Sequence, residues 1–231
     1  MLMRIPGVLD AASLARCREL VMGADWVDGR ITAGTQSEQA KNNRQLPEES
    51  PAGRAARALV LEGLAKNAAF FTAALPRRIY PPLFNRYEGA SNAFGDHIDN
   101  AVRTWAPADS PLVQHVRTDL SATLFLSDPA DYDGGELVIA HAFGSESVKL
   151  PAGDMVLYPG SSVHRVEPVT RGARIASFFW VESMVRDNEQ RRVLHDMDMA
   201  ILALRTDIGD TPPVVGLTGC YHNLLRLWAT P

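Results

Sequence analysis

From residue 79 to residue 181 the chain breaks into short β-like runs closed off by turn clusters: YPPLFNRYEG, AFGDHID, TDLSATLFLSD, GGELVIAH, ESVKLPAGDMVLYPGS, SVHRVEPV and RIASFFWVES. Strands separated at close spacing by Asp, Gly and Pro point to a sandwich or a barrel. In GGEL, Gly134 to Leu137, the paired glycines mark a tight turn before a strand, because glycine tolerates positive φ.

The flanks read as helix. Asp10 is placed to cap a helix over residues 11–23, with Leu14, Leu20 and Val21 on its buried side. Ser50 followed by Pro51 is a helix start, and the alanine-rich AGRAARALVLEGLAKNAAFFTAAL continues it to the residue before Pro76. Between them ITAGTQSEQAKNNRQLPEES is polar and irregular, a loop or a flap. After residue 182, Leu194, Met197, Ile201, Leu204 and Ile208 recur every three or four positions, which gives one apolar stripe. GLTGCYHNLLRLWAT offers a second helix with Leu217, Tyr221, Leu224, Leu225 and Trp228. The expected class is α+β in three parts: a helical support over 1–78, a β-domain over 79–181, and a helical hairpin over 182–231 packed on that domain.

Composition narrows the function classes. A net charge of −4 offers no basic face for nucleic acid. No apolar run approaches the ~18 residues that a membrane helix needs. The opening MLMRIPGVLDAASLARCREL lacks a continuous apolar stretch, so no secretory signal is expected and the cytoplasm is the default compartment. Cys17 and Cys220 leave one disulfide open without indicating it, and no zinc-type cysteine spacing exists.

In FGDHIDNAVR, His97 and Asp99 stand two apart among Phe94, Ile98 and Val102. Residues i and i+2 of a strand point to one side, so an imidazole and a carboxylate would converge. Alone, the pair reads as a strand-edge ion pair. His164, 65 residues after Asp99, changes that balance. Two histidines and one carboxylate on one face of a metal leave positions open, the ligand pattern of non-haem Fe(II) oxygenases. Ten residues on, Arg174 opens the strand RIASFFW, where it shares a face with Ala176, Phe178 and Trp180. A guanidinium inside an apolar barrel needs an anion, and its planar fork suits a carboxylate. A structural ion pair with Glu136 or Asp154 is the competing reading. His115, His141, His195 and His222 read as surface or packing residues.

Taken together, His97-Ile98-Asp99, His164 and Arg174, with NRYEGASNAFGDHIDNAVR, LSATLFLSDPADYDGGELVI and LYPGSSVHRVEPVTRGARIASFFWVES around them, resemble the Fe(II)- and 2-oxoglutarate-dependent dioxygenases. Within these they are similar to the bacterial PKHD-type hydroxylases, near the prolyl and lysyl hydroxylases. The likeness spans most of the chain. It implies a double-stranded β-helix, or jelly roll. It implies Fe(II) on His97, Asp99 and His164, and 2-oxoglutarate held through its distal carboxylate by Arg174, with Tyr87 lining the co-substrate pocket. The implied reaction decarboxylates 2-oxoglutarate to succinate and CO2 while O2 hydroxylates a peptide or small molecule. L-ascorbate as auxiliary reductant and a role in iron uptake or homeostasis follow from the resemblance only.

Two other functions compete. A nucleic-acid demethylase of the same chemistry would look for a second arginine six residues after the first, where this chain has Trp180. A non-catalytic iron-sensing jelly roll would not need Arg174. Phe94, Leu124, Phe178 and Phe179 are expected to keep water from the site. Residues 31–50 and 100–116 are expected to build the substrate pocket. The apolar tail leaves burial on the barrel or in a homo-oligomer open.

Overall fold

Two antiparallel sheets face each other, and the chain crosses between them at nearly every turn. The computed structural model describes residues 2–32, 39–106 and 112–230. The larger sheet orders its strands as Met3–Ile5, Met155–Pro159, Leu120–Phe125, Arg174–Ser183, Leu83–Tyr87, Arg44–Gln45 and Val27–Asp28, and Pro76–Ile79 also pairs with Arg174–Ser183. The smaller sheet runs Gly144–Val148, Leu137–His141, His164–Val166, Ala93–His97 and Lys41–Asn42. From Leu83 onward, the sheet strands step from the large sheet to the small one and back, with only the Leu137–Val148 hairpin staying on one side. That alternation is the jelly roll that the short, turn-bounded runs imply.

Burial explains why these runs settle as strands. Leu120–Phe125 is buried at every position because it lies mid-sheet between two partners. Its two faces differ. Leu120, Ala122 and Leu124 join the core that also holds Val21, Val60 and Phe84, while Ser121 and Thr123 face the gap between the sheets. Leu124 therefore lies behind the sheet and not on the water-excluding wall where the sequence placed it; strand alternation sends it the other way. Phe94 and Phe178 do line the gap, whereas Phe179, one residue on from Phe178, packs mainly in the core behind the sheet with Leu124.

The helices cover the outer face of the large sheet. Ala11–Met22 is capped by Asp10, which accepts from the Ser13 amide at 2.7 Å, and it buries Cys17 and Val21. Ser50 caps Pro51–Lys66 by accepting from the Gly53 amide at 3.1 Å. The expected single helix breaks at Asn67, whose side chain accepts from the Phe70 amide at 2.9 Å and starts a second helix, Ala68–Ala74. An asparagine that offers its own acceptor competes with helix continuation. Leu75 then ends that helix at φ 42°.

The tail is a pair of helices, Asn188–Ile208 and Pro212–Trp228, meeting over Leu75 and Val185. Leu194, Ile201, Val214 and Tyr221 are buried there. Leu204, Ile208 and Leu217 are exposed, so the stripe is buried only where it overlies the sheet-side contacts. Cys17 and Cys220 are both free thiols. No helix among the described residues is long and apolar enough to cross a membrane.

Segments that read as irregular carry order. Met3–Ile5 pairs with Met155–Leu157, and Lys41–Asn42 and Arg44–Gln45 extend opposite sheets from within the polar stretch 31–50. Val102–Trp105 and Gln114–Arg117 form a hairpin. Residues 33–38 and 107–111, parts of the two expected substrate loops, lie outside the described residues.

The GGEL turn behaves as its composition requires. Gly134 sits at φ +71°, and a Cβ there would come 2.0 Å from the Pro168 carbonyl oxygen. Gly134→Ala should lower stability by about 2–3 kcal/mol, a positive-φ penalty with a backbone clash added. Thermal unfolding checks it; an unchanged melting temperature would mean that the turn shifts without strain.

Candidate active site

His97 ends one strand and His164 begins its neighbour, and the two are cross-strand partners. Between them the register shifts: His164 faces His97, but Val166 faces Phe94. The three residues His164–Val166 thus oppose four, Phe94 to His97, on the other strand. This bulge puts Phe94 and His97 on one face despite their odd separation. The consequence is a stack, with the ring centroids 3.5 Å apart and 12° between planes. Asp99 lies just past the strand rather than on it, and Ile98 between them is exposed. Even so, ligand-type atoms of His97, Asp99 and His164 all fall within 4.8 Å of one another. The three predicted side chains meet.

Each is aimed by a neighbour. His97 Nδ1 lies 2.8 Å from the Gly95 carbonyl and His164 Nδ1 3.1 Å from that of Ser162. A carbonyl accepts only from an N–H, so both rings carry the proton on Nδ1 and keep Nε2 for the interior. Ser121 Oγ donates to Asp99 Oδ2 at 2.7 Å. Burial, and then the adjacent His164 ring, holds His97 below its ordinary 6.5. It is neutral at pH 7, the form with a lone pair for a metal.

The cavity beyond holds about 760 Å³ including its open mouth. Arg174 reaches into it from the large sheet, directly across from Tyr87 in the strand register. Arg174 is 1% exposed, and its Nε and Nη1 have no hydrogen-bond partner. Its guanidinium sits over the rings of Tyr87 and Phe125, at 5.3 and 5.1 Å. Among the described residues no carboxylate pairs with it: Glu136 is 3.9 Å from Lys149, and Asp154 accepts from the Gly7 amide. The structural ion pair is absent. Gly135, at φ +69°, lets the strand pass this close, since a Cβ would lie 2.9 Å from the Tyr132 ring and 3.1 Å from Arg174 Cδ. Tyr132 Oη is also unpartnered. Burial pushes the phenols of Tyr87, Tyr132 and Tyr158 up, so they remain O–H donors.

The donor chemistry fits the two groups that the resemblance implies. Two imidazoles and a carboxylate suit a ferrous ion with positions left open. A buried guanidinium with empty donors suits a carboxylate.

Comparison with known proteins agrees. Residues 82–182 match the model of the 2OG-Fe(II) oxygenase superfamily, and residues 188–230 match the PKHD-type hydroxylase C-terminal domain. A PKHD-type hydroxylase of Xanthomonas campestris is 59% identical over 232 residues, covering 99% of each chain. One of Polaromonas is 54% identical over 229 residues, again 99% of each. The chain belongs to the PKHD-type hydroxylases. It is accordingly a 2-oxoglutarate-dependent dioxygenase. The fold is shared with HygX of Streptomyces hygroscopicus, solved with nickel and 2-oxoglutarate bound (TM-score 0.54, 16% identity, 79% of this chain and 82% of that one). It is also shared with a prolyl hydroxylase of Trichoplax adhaerens in complex with a peptide (TM-score 0.52, 12% identity, 84% and 86%).

Sequence reasoning passed over several residues that this hydroxylase turns into the cavity: Lys41, Asn43, Asn85, Arg103, Ser121 and Tyr158. KNNRQ is polar throughout, so no apolar–polar alternation marks Lys41 or Asn43 as facing a cavity. His115, His141 and His222 are exposed and His195 lies on the tail, away from the cavity.

Ser121→Ala should weaken divalent-metal binding by roughly 10-fold or more while leaving the fold intact, because it frees the Asp99 carboxylate to rotate. Titration of the metal-free protein with Ni(II) measures this; an unchanged affinity would remove Ser121 from the site.

Proposed function

We propose that His97, Asp99 and His164 hold Fe(II), and that Arg174, with Tyr87 against it, grips the distal carboxylate of 2-oxoglutarate. The observation that carries this reading is Arg174, a fully buried guanidinium whose Nε and Nη1 donors point at nothing. An unpaired buried charge is tolerated only where a ligand completes it. When bound, the iron supplies the redox chemistry: O2 is consumed, 2-oxoglutarate becomes succinate and CO2, and a substrate C–H becomes C–OH.

The chain's own residues do the rest. The Gly95 and Ser162 carbonyls fix the imidazole tautomers, and Ser121 fixes the carboxylate. Phe94 covers His97 on its outer face, and Phe178 lines the wall beside it, which limits water. The hydroxylated substrate is a peptide or small molecule; a chain with net charge −4 does not favour nucleic acid. Ascorbate as auxiliary reductant, cytoplasmic location and a part in iron homeostasis belong to the same reading through the family likeness. A three-part organisation, with 79–181 as the dioxygenase domain between helical flanks, belongs to it too.

Incubation with Fe(II), O2 and 2-oxoglutarate should release succinate above the protein-free background. Absence of succinate with iron binding intact would favour a metal-sensing role instead. Arg174→Met should weaken 2-oxoglutarate binding by about 2–4 kcal/mol, roughly 30- to 700-fold. The same variant should raise the melting temperature of the ligand-free protein, because it deletes a buried charge without a partner. Unchanged 2-oxoglutarate affinity would take Arg174 out of the mechanism.

A further inference from the structure

The two tail helices, Asn188–Ile208 and Pro212–Trp228, each carry two rows of side chains at helix-packing spacing, and the fold covers one row of each. On the first helix Leu194 and Ile201 are buried, and Arg205 in the same row donates to Thr218 Oγ1 at 3.3 Å and to Asp210 Oδ1 at 2.6 Å. On the second, Val214, Tyr221, Leu225 and Trp228 pack into the same core. One position before each covered row stands another. It is Val193, Met197, Ala200 and Leu204 on the first helix, and Pro213, Leu217, Cys220, Leu224 and Leu227 on the second. Steps of four and three residues alternate along it, the spacing by which a helix seats against a further helix. Val193, Ala200, Leu204, Leu217, Cys220 and Leu227 are exposed, Leu227 by 77%. Only Met197 and Leu224 lean into the core from this side. In an antiparallel pair, one position back on each helix leads to the same side of the seam. The two open rows therefore make one continuous apolar face, two helices wide.

Charge says what can cover it. Neither open row contains a charged residue, so a copy of the same face meets no repulsion there. The edges differ. On the first helix Glu189 and Asp196 share one cation, Arg192, at 3.0 and 2.9 Å, which leaves that edge one negative charge in excess. The second helix has a single formal charge, Arg226, which donates to the neutral Asn223 Oδ1 at 2.8 Å. No ion pair to Arg226 exists among the described residues. Asp187 to Gln190 and Trp228 line one cleft, so the start of the first helix lies beside the end of the second. Arg226 and Glu189 thus stand at the same height on opposite edges of one hairpin.

We propose that a second copy of this chain covers the open face, so that two tail hairpins close into a four-helix bundle. A two-fold axis parallel to the helices lays the second helix of each copy on the first helix of the other. It seats apolar row on apolar row. It also brings Arg226 of one copy to Glu189 and Asp196 of the other, where two carboxylates then face two cations. The opposite arrangement, first helix on first helix, sets the two acidic edges against each other and leaves both copies of Arg226 without a carboxylate. The inference does not depend on the metal or co-substrate reading above.

The test is sedimentation of the full chain over a roughly 100-fold range of concentration, since association follows mass action. The wild type should reach twice its 25.2 kDa at the concentrated end. Leu204→Glu and Leu217→Glu each put a charge at an exposed position, one on either helix, so far-ultraviolet circular dichroism should match the wild type. Each should raise the dissociation constant roughly 10-fold or more, because the charge falls at the centre of the contact. Arg226→Asp should weaken association about 5-fold, and adding Asp196→Arg to it should recover most of the loss. A wild type that stays monomeric at every concentration would overturn the proposal and leave the face to a different protein. A dimer that either folded glutamate variant leaves as tight, or one indifferent to Arg226→Asp, would place the contact elsewhere and overturn it equally. Loss in Arg226→Asp without recovery in the double variant would overturn the pairing of second helix on first.

Discussion

A guanidinium sealed inside a β-sandwich without an anion is the constraint around which the rest of this molecule is arranged. Arg174 opens the longest strand, Arg174–Ser183, which pairs on one side with Leu120–Phe125 and on the other with Leu83–Tyr87. Those pairings hold its backbone, and the rings of Tyr87 and Phe125 hold its side chain. Neither supplies a negative charge. Isolated charges in low dielectric are expensive, and a protein keeps one only if something else in the fold outweighs the penalty. Here the neighbouring core, with Phe84, Leu157 and Phe179 behind the same sheet, does so.

The opposite sheet solves a different problem, which is to bring three side chains of metal-ligand type to one point. Two come from adjacent strands, and simple register places them together. The third does not lie on a strand at all. The bulge beside His97 bends the chain so that Asp99 turns back toward His164, and Ser121 from the facing sheet holds it there. The site is therefore shared between sheets: imidazoles on one, the group that fixes the carboxylate on the other. Anything that changes the gap between the sheets changes the ligand geometry.

How much of this could be read in advance depends on whether a residue's position follows from a period. His97, His164, Arg174 and Tyr87 sit on strands whose alternation is visible in the sequence, and all four face the cavity. Leu124 was misplaced because a strand buried on both faces shows no alternation to say which side is which. The helix break at Asn67 depended on one side chain capping a new turn inside an otherwise uniform alanine-rich run. Lys41 and Ser121 escaped notice for a different reason. One lies in a two-residue strand within polar sequence, too short to carry a pattern. The other is a small hydroxyl whose importance depends on a carboxylate 22 positions away. Long-range partners of this kind are set by topology, which local sequence does not spell out.

The charges in the cavity also bear on the order of assembly. Among the described residues, three cations and one carboxylate line the cavity. A divalent metal arriving alone would deepen that imbalance, and the dicarboxylate arriving alone would relieve it. Each therefore improves the electrostatic setting for the other, and by linkage the improvement is mutual.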